Sequence, residues 1–340
     1  MEKWMRKVGV IAVTGAVCIA LAPVPAAAQA PGDGWTVPRT AHGQPDLQGV
    51  WANNSVTPLE RPDAWAGKAT LTDEELAQLR TAAAEVTASG LDAQFGDQLV
   101  LAAIAGVSDA DSYDTTGNYN QFWLADRDFD HNRTSLIVSP PDGKVPARTA
   151  DAVSAGRGLP PPIIAPKADT WADRPLSERC LTFGVPNLLA GYNSYSQILQ
   201  TRDHVVVLME MIHDARIIPI DGPPHVSGDI RQLHGDSRGR WDGDTLVVET
   251  MNYSALGAFW SAGEGLRITE RFTRVSADTL HYEITFDAPA TWTEPWTVLI
   301  PLRQSPDPLF EYACHEGNLG MEGILSGYRA EERAAGDGSR

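Results

Sequence analysis

Glu210-Met211-Ile212-His213-Asp214-Ala215-Arg216 places a base, an acid and a cation within one short stretch, at the end of an apolar run from His204 to Met211. Along an ideal strand Glu210, Asp214 and Arg216 share a face and His213 points away, unless a bulge near Ile212 intervenes. In the alternation Val206, Leu208, Glu210, Ile212 a carboxylate interrupts an apolar face, and Ile268, Glu270, Phe272, Arg274 repeat the pattern. Burying a carboxylate is costly unless it is paired or protonated, so both glutamates need partners. Arginine and histidine are the nearby supply. One reading is an acid/base group held in a cavity, with Glu210 or His213 as base and Arg216 steadying an anion. The plainer reading is an ion-paired strand end.

Further candidates lie around this cluster. Cys314-His315-Glu316 follows the last apolar run, and His315 is a candidate second acid/base. The loop holding His225, Arg231, His234, Asp236, Arg238 and Arg240 is rich in cations inside an acidic chain. It suggests a substrate-facing lip for His234 and ordinary salt bridges for Arg238 and Arg240. Tyr192, Tyr195, Trp292 and Trp296 concentrate rings with polar tips, which line cavities for flat ligands or fill a large core. A zinc site from His213, His315 and a carboxylate is the sharper alternative, but no H-x-H, HExxH or CxxC spacing supports it. The expectation is therefore no metal and no cofactor. SxxK and nucleotide-phosphate signatures are also missing from the sequence. Proton transfer among Glu, His, Tyr and Arg remains, the chemistry of lyases and isomerases.

The elements that must hold these groups are mostly strands. His204 to Met211, Ala215 to Ile220, Thr245 to Thr250, Leu266 to Val275, Thr279 to Phe286, Thr297 to Leu302 and Leu309 to Cys314 read as strands. Asp242-Gly243 and Ala277-Asp278 mark hairpins. In Thr279 to Phe286 the even positions are apolar, which puts His281 on the outward face. Short connections predict an antiparallel meander that curls into a lipocalin-like β-barrel, giving a mainly β fold. In the N-terminal half, Asp46 to Trp51 reads as extended, and Thr72 with Glu75 forms a capping box for a helix to Ala88. A second helix is expected around Gln98 to Val107, a strand over Arg133 to Val138, and a turn at Pro140-Pro141-Asp142-Gly143. Residues 150–173 read as a Pro-rich loop. The expected division is a signal peptide over 1–30, an N-terminal elaboration over 31–173, the β-barrel over 174–330 and a disordered tail over 331–340.

Of 340 residues, Lys and Arg number 27 against 44 Asp and Glu, a formal charge of −17. Such a field disfavours nucleic acid and anionic lipid as partners. Lys3, Arg6 and Lys7, the apolar run Val8 to Ala22, and Ala28-Gln29-Ala30 form a cleavable export signal, too short for a stable membrane anchor. A periplasmic or secreted location is therefore expected. Cleavage after Ala30 removes Cys18, and Cys180 and Cys314 are then expected to pair in an oxidising compartment. The alternative is two free thiols, one of them a nucleophile.

Pro45-Asp46-Leu47-Gln48-Gly49-Val50-Trp51, Arg133 to Val138, Glu178-Arg179-Cys180-Leu181, Met209 to Arg216, Gly235 to Trp241 and Cys314 to Asn318 span almost the whole mature chain. Together these strings resemble a widespread family of exported proteins of proteobacteria and acidobacteria. That resemblance implies export and a shared architecture and carries no assigned activity. A looser association is with lyases of lignin-derived phenylpropanoid dimers, which lose formaldehyde or carbon dioxide. Phenolic acid decarboxylases offer a fold-level analogy, as small barrels that use Tyr, Arg and Glu without a cofactor. The expectation is thus a cofactor-independent lyase on a small aromatic or phenolic molecule. Glu210, His213, Arg216 and His315 would be its chemical groups, and Tyr192, Tyr195, His234, Trp292 and Trp296 its binding surface. The alternatives are a non-catalytic lipocalin-like binder of an apolar ligand and a metal-dependent hydrolase.

Overall fold

Period-two alternation of apolar and polar residues organises one antiparallel sheet. The computed structural model describes residues 35–88, 96–106, 127–129, 131–160, 168–188 and 190–337. The strands are β1 (Gly49–Ala52), β2 (Ile137–Ser139), β3 (Tyr195–Gln200), β4 (His204–Met209), β5 (Ala215–Pro219), β6 (Asp236–Asp242), β7 (Thr245–Met251), β8 (Arg267–Arg274), β9 (Thr279–Asp287) and β10 (Trp296–Ser305). They hydrogen-bond in the order β5-β4-β3-β1-β10-β9-β8-β7-β6, with β2 added onto β10. Two meanders, β3 to β5 and β6 to β10, are thus joined through β1. The N-terminal half is therefore built into the sheet, because Trp51 on β1 is fully buried in the main core.

That core draws on Ile198 of β3, Val207 of β4, Ile218 of β5, Leu246 of β7, Phe272 of β8 and Ile300 of β10. Strands from both ends of the order share one cluster, so the sheet wraps around it. The wrapping stops short of a hydrogen-bonded ring. Terminal strands β5 and β6 are not laddered; they meet beyond β5 at a single parallel bridge, Ile220 to Gly239. The closed barrel expected from the meander is not what the ladder forms. Gly239 permits this close approach, since a Cβ there would lie 2.5 Å from Ile220 Cδ1 and 3.0 Å from Ile218 Cγ2.

A smaller core sits in the N-terminal half. Helix α1 (Asp73–Ala88) starts at the expected capping box: Glu75 N–H donates to Thr72 Oγ1 at 3.2 Å, and Thr72 N–H donates to Glu75 Oε2 at 2.9 Å. With α2 (Gln98–Ala105) it encloses Val56, Ala83, Val86, Leu99 and Val100. Beside it Arg133 Nη2 donates to the Leu299 carbonyl of β10 at 2.9 Å, and the Leu299 N–H donates to Leu136. His281, expected on the outward face, is there only half-exposed; burial and the Arg133 charge lower its pKa.

Four local expectations change. Leu309 to Cys314 is extended but forms no strand, because Cys314 is tied to Cys180 through a disulfide with Cα atoms 5.6 Å apart. Of the expected 133–138 strand only Ile137 and Val138 fall in a strand, β2, which runs on to Ser139 and pairs with β10. Within 150–173 lie helix α3 (Ala150–Ser154), capped by Thr149, and a 3-10 turn at Trp171–Asp173. Helix α4 (Leu319–Asp337) carries order into the segment expected to be a tail. The expected signal peptide over 1–30 lies outside the described residues. Among the described residues no helix is long and apolar enough to cross a membrane.

Candidate functional site

The charged centre of the sheet interior joins three strands. Arg216 on β5, Glu270 on β8 and Tyr282 on β9 all point inward, with Glu270 fully buried. Arg216 donates to both carboxylate oxygens of Glu270, through Nη2 to Oε1 at 2.7 Å and through Nη1 to Oε2. The Tyr282 hydroxyl donates to Glu270 Oε1 at 2.5 Å. Burial opposes the Arg216 charge, and the Glu270 carboxylate more than offsets it, so the guanidinium is held above its ordinary pKa. Burial and the same carboxylate push the Tyr282 phenol well up. Tyr253, fully buried, is raised for the same two reasons.

A second polar chain lies nearby. After β4 the backbone makes a tight turn at Met211–His213, with Ile212 at φ 59° and His213 at φ 44°. A left-handed conformation is unusual for a buried β-branched residue and stores strain. It turns Asp214 inward, to 9% exposure. The Asp214 Oδ2 accepts from the Thr182 hydroxyl at 2.5 Å and from the Phe183 N–H at 3.3 Å. His234 Nε2 lies 2.9 Å from Thr182 Oγ1 and 3.6 Å from Asp214 Oδ1. Because the Thr182 proton is committed to Asp214, its oxygen accepts from His234, which fixes the proton on Nε2. His234 is thereby oriented by an Asp through a hydroxyl, an arrangement that steadies an imidazole for acid/base work.

Arg216 and Tyr282 of the first group and Asp214 and His234 of the second line one cavity of about 40 Å³. Arg216, Asp214 and His234 supply its polar wall, and Trp51, Phe272 and Tyr282 its aromatic wall. Phe272 and Tyr282 stack with centroids 4.5 Å apart. Val185, Pro186 and Asn187 also border it.

Arg216 and His234 are the sequence candidates brought together here. Glu210 and His213 line a different, outer groove with Phe310 and Tyr312, and share only Met209 with the inner cavity. The expected single face for Glu210, Asp214 and Arg216 is broken by the turn at Ile212. Glu210 finds Asn193 rather than an arginine or histidine, with Nδ2 donating to Oε1 at 3.3 Å. His315 is exposed, its ring 6.4 Å from that of His213. Tyr192 and Tyr195 are half-buried outside the cavity lining, and alternation on β3 puts Tyr195 opposite the inward Ser196 and Ile198. Trp292 and Trp296 are core residues: Trp296 stacks on Phe286 at 4.3 Å and meets Trp292 edge-on at 5.5 Å. Arg238 pairs with Asp236 at 2.7 Å and Arg240 with Glu249 at 3.4 Å, as ordinary salt bridges.

Thr182, Trp51, Phe272 and Tyr282 were not singled out as site residues by sequence. Tyr282 carried a signal, since its polar tip sits on the apolar face of its strand beside the Glu270 strand. Thr182 carried none, being 32 positions from the aspartate it bonds. Among the described residues no three His, Cys, Asp or Glu side chains converge as metal ligands. No family model, curated protein or solved structure matches this chain.

Proposed function

We propose that this chain is an exported, cofactor-independent carbon–carbon lyase acting on a small aromatic or phenolic substrate inside a lipocalin-like β-barrel. The observation that carries the reading is the single cavity where an Asp-oriented histidine and a buried arginine meet an aromatic wall. The near-closure of the sheet at Ile220 and Gly239 supports the barrel description. The Cys180–Cys314 disulfide supports export.

In this reading His234 takes the hydroxyl proton of a hydroxymethyl group, or the acid proton of a carboxyl group. The carbon–carbon bond breaks, formaldehyde or carbon dioxide leaves, and the electron pair on carbon takes the proton back from the imidazolium. Delocalisation into the ring and the Arg216 charge steady the intermediate anion. Trp51, Phe272 and Tyr282 hold the ring plane. About 40 Å³ accommodates the departing fragment rather than a ring, so substrate entry requires outward movement of the Val185–Asn187 border. Glu210, His213 and His315 have no part in it.

His234→Gln keeps a hydrogen-bonding side chain and removes the base. Incubation with phenolic monomers and dimers, followed by mass spectrometry, is expected to give product with wild type and at least 100-fold less with the variant. Equal turnover by the variant contradicts the assignment. A second reading, a non-catalytic binder of an apolar ligand, draws on the neutralisation of Arg216 by Glu270. It predicts retained ligand, no product, and binding indifferent to His234→Gln.

A further inference from the structure

Glu270 and Glu210 both interrupt apolar alternations, and the fold answers them differently. Glu270 receives the Arg216 guanidinium. Glu210 is also buried, at 7% exposure against 0% for Glu270, yet among the described residues its carboxyl is met by neutral donors, the Asn193 amide and the Phe310 backbone. No cationic side chain is paired with it among the described residues. Burial pushes its pKa up, against those two hydrogen bonds.

The carboxyl lines a groove of about 380 Å³ between β4 and the extended segment 308–312. That volume lies within the range of small-molecule sites. Leu208, Met209 and Leu309 give it an apolar wall, Phe310 and Tyr312 give two ring faces, and Glu311 adds a second carboxylate. Among the described residues no Lys or Arg contributes to the lining, and His213 is its one imidazole. Phe310 is 70% exposed and open to a ligand. Carboxylate, aromatic faces and an apolar floor without a basic residue together recognise one chemical class.

We propose that this groove binds a small organic ammonium ion carried on an apolar or aromatic body, with Glu210 as its counter-ion. The ligand supplies the positive charge that Arg216 supplies to Glu270. Phe310 and Tyr312 contact the ammonium carbons and the apolar body. The site is separate from the inner cavity and does not depend on the lyase reading.

Isothermal titration of the oxidised mature protein with benzyltrimethylammonium and phenethylammonium tests this against 2-phenylethanol, a neutral analogue of similar shape. Saturable binding of the cations is expected, with the alcohol at least 10-fold weaker. Glu210→Gln is expected to lose at least 10-fold in cation affinity, and His234→Gln to bind as wild type. Should Glu210→Gln fail to fold, Phe310→Ala, at an exposed position, decides: it is expected to weaken the cation at least 3-fold. Equal affinity for cation and alcohol, no saturable cation binding, or unchanged affinity in the folded variant overturns the proposal.

Discussion

At the scale of the residue, the interior is governed by how each buried charge is compensated. The Arg216 guanidinium and the Tyr282 hydroxyl give the fully buried Glu270 carboxylate three hydrogen bonds, at least one to each oxygen. Removing one member leaves the other uncompensated, which costs about 3–5 kcal/mol. Glu270→Gln is therefore expected to lower unfolding stability by about that much in urea titrations. Arg216→Met combined with Glu270→Leu is expected to recover most of the loss, because an apolar pair leaves no buried charge. A double variant as unstable as the single one would show that the charges themselves are required by the fold. The sequence disclosed that Glu270 needed an arginine or histidine, from the break in an apolar face. It did not disclose which one, because Arg216 lies 54 positions away on the opposite part of the sheet. For Glu210 the same reasoning named the wrong kind of partner, because the turn at Ile212 removes the residue from the strand face shared with Arg216.

Among the elements, hairpins and capped helices were legible and long-range pairings were not. Capping box, Asp-Gly turn and alternation are local, so α1, the β6–β7 hairpin and the β8–β9 hairpin follow directly from neighbouring residues. The apolar run Leu309 to Cys314 has strand composition, but the disulfide holds it off the sheet. The placement of β1 between β3 and β10 is non-local, and nothing in its four residues specifies either neighbour. Packing of the N-terminal segment beside the sheet gives a pH-dependent prediction. His131 lies beside Arg133 in a small cavity under α1 and α2, with Thr57 Oγ1 3.3 Å from its Nε2. Burial and the Arg133 charge, with a lesser push from His281, lower its pKa to about 4 against the raising effect of Asp128. The unfolded chain therefore binds the proton more readily than the folded one. Stability from this residue is full above about pH 6.5 and is lost progressively as pH falls to about 4, by up to about 3 kcal/mol. Urea midpoints of wild type are expected to fall from pH 7.5 to 4.5 more steeply than those of His131→Gln. Parallel pH profiles would show that His131 does not carry the loss.

Over the whole molecule, one disulfide joins the segment before the first meander to the segment after the last strand. Cys180 and Cys314 enclose 134 positions, a span for which chain entropy contributes roughly 4–5 kcal/mol. Reduction, or Cys180→Ala with Cys314→Ala, is expected to lower the thermal midpoint markedly, as scanning calorimetry with and without reductant would show. An unchanged midpoint would mean that the sheet is held by its core alone. Chain-wide features of this kind were partly readable: cysteine count and the expectation of export pointed to the pair, and alternation pointed to the antiparallel sheet. Composition could not show that the ladder stays open, since that depends on how β5 and β6 approach at Gly239.

The proposed function stands on acid/base chemistry by His234 in the inner cavity. Its most direct test is mass spectrometry of phenolic monomers and dimers incubated with wild type and with His234→Gln. A product lighter by formaldehyde or carbon dioxide is expected from wild type, and its near absence from the variant. Product formed equally by both, or by neither, would contradict it.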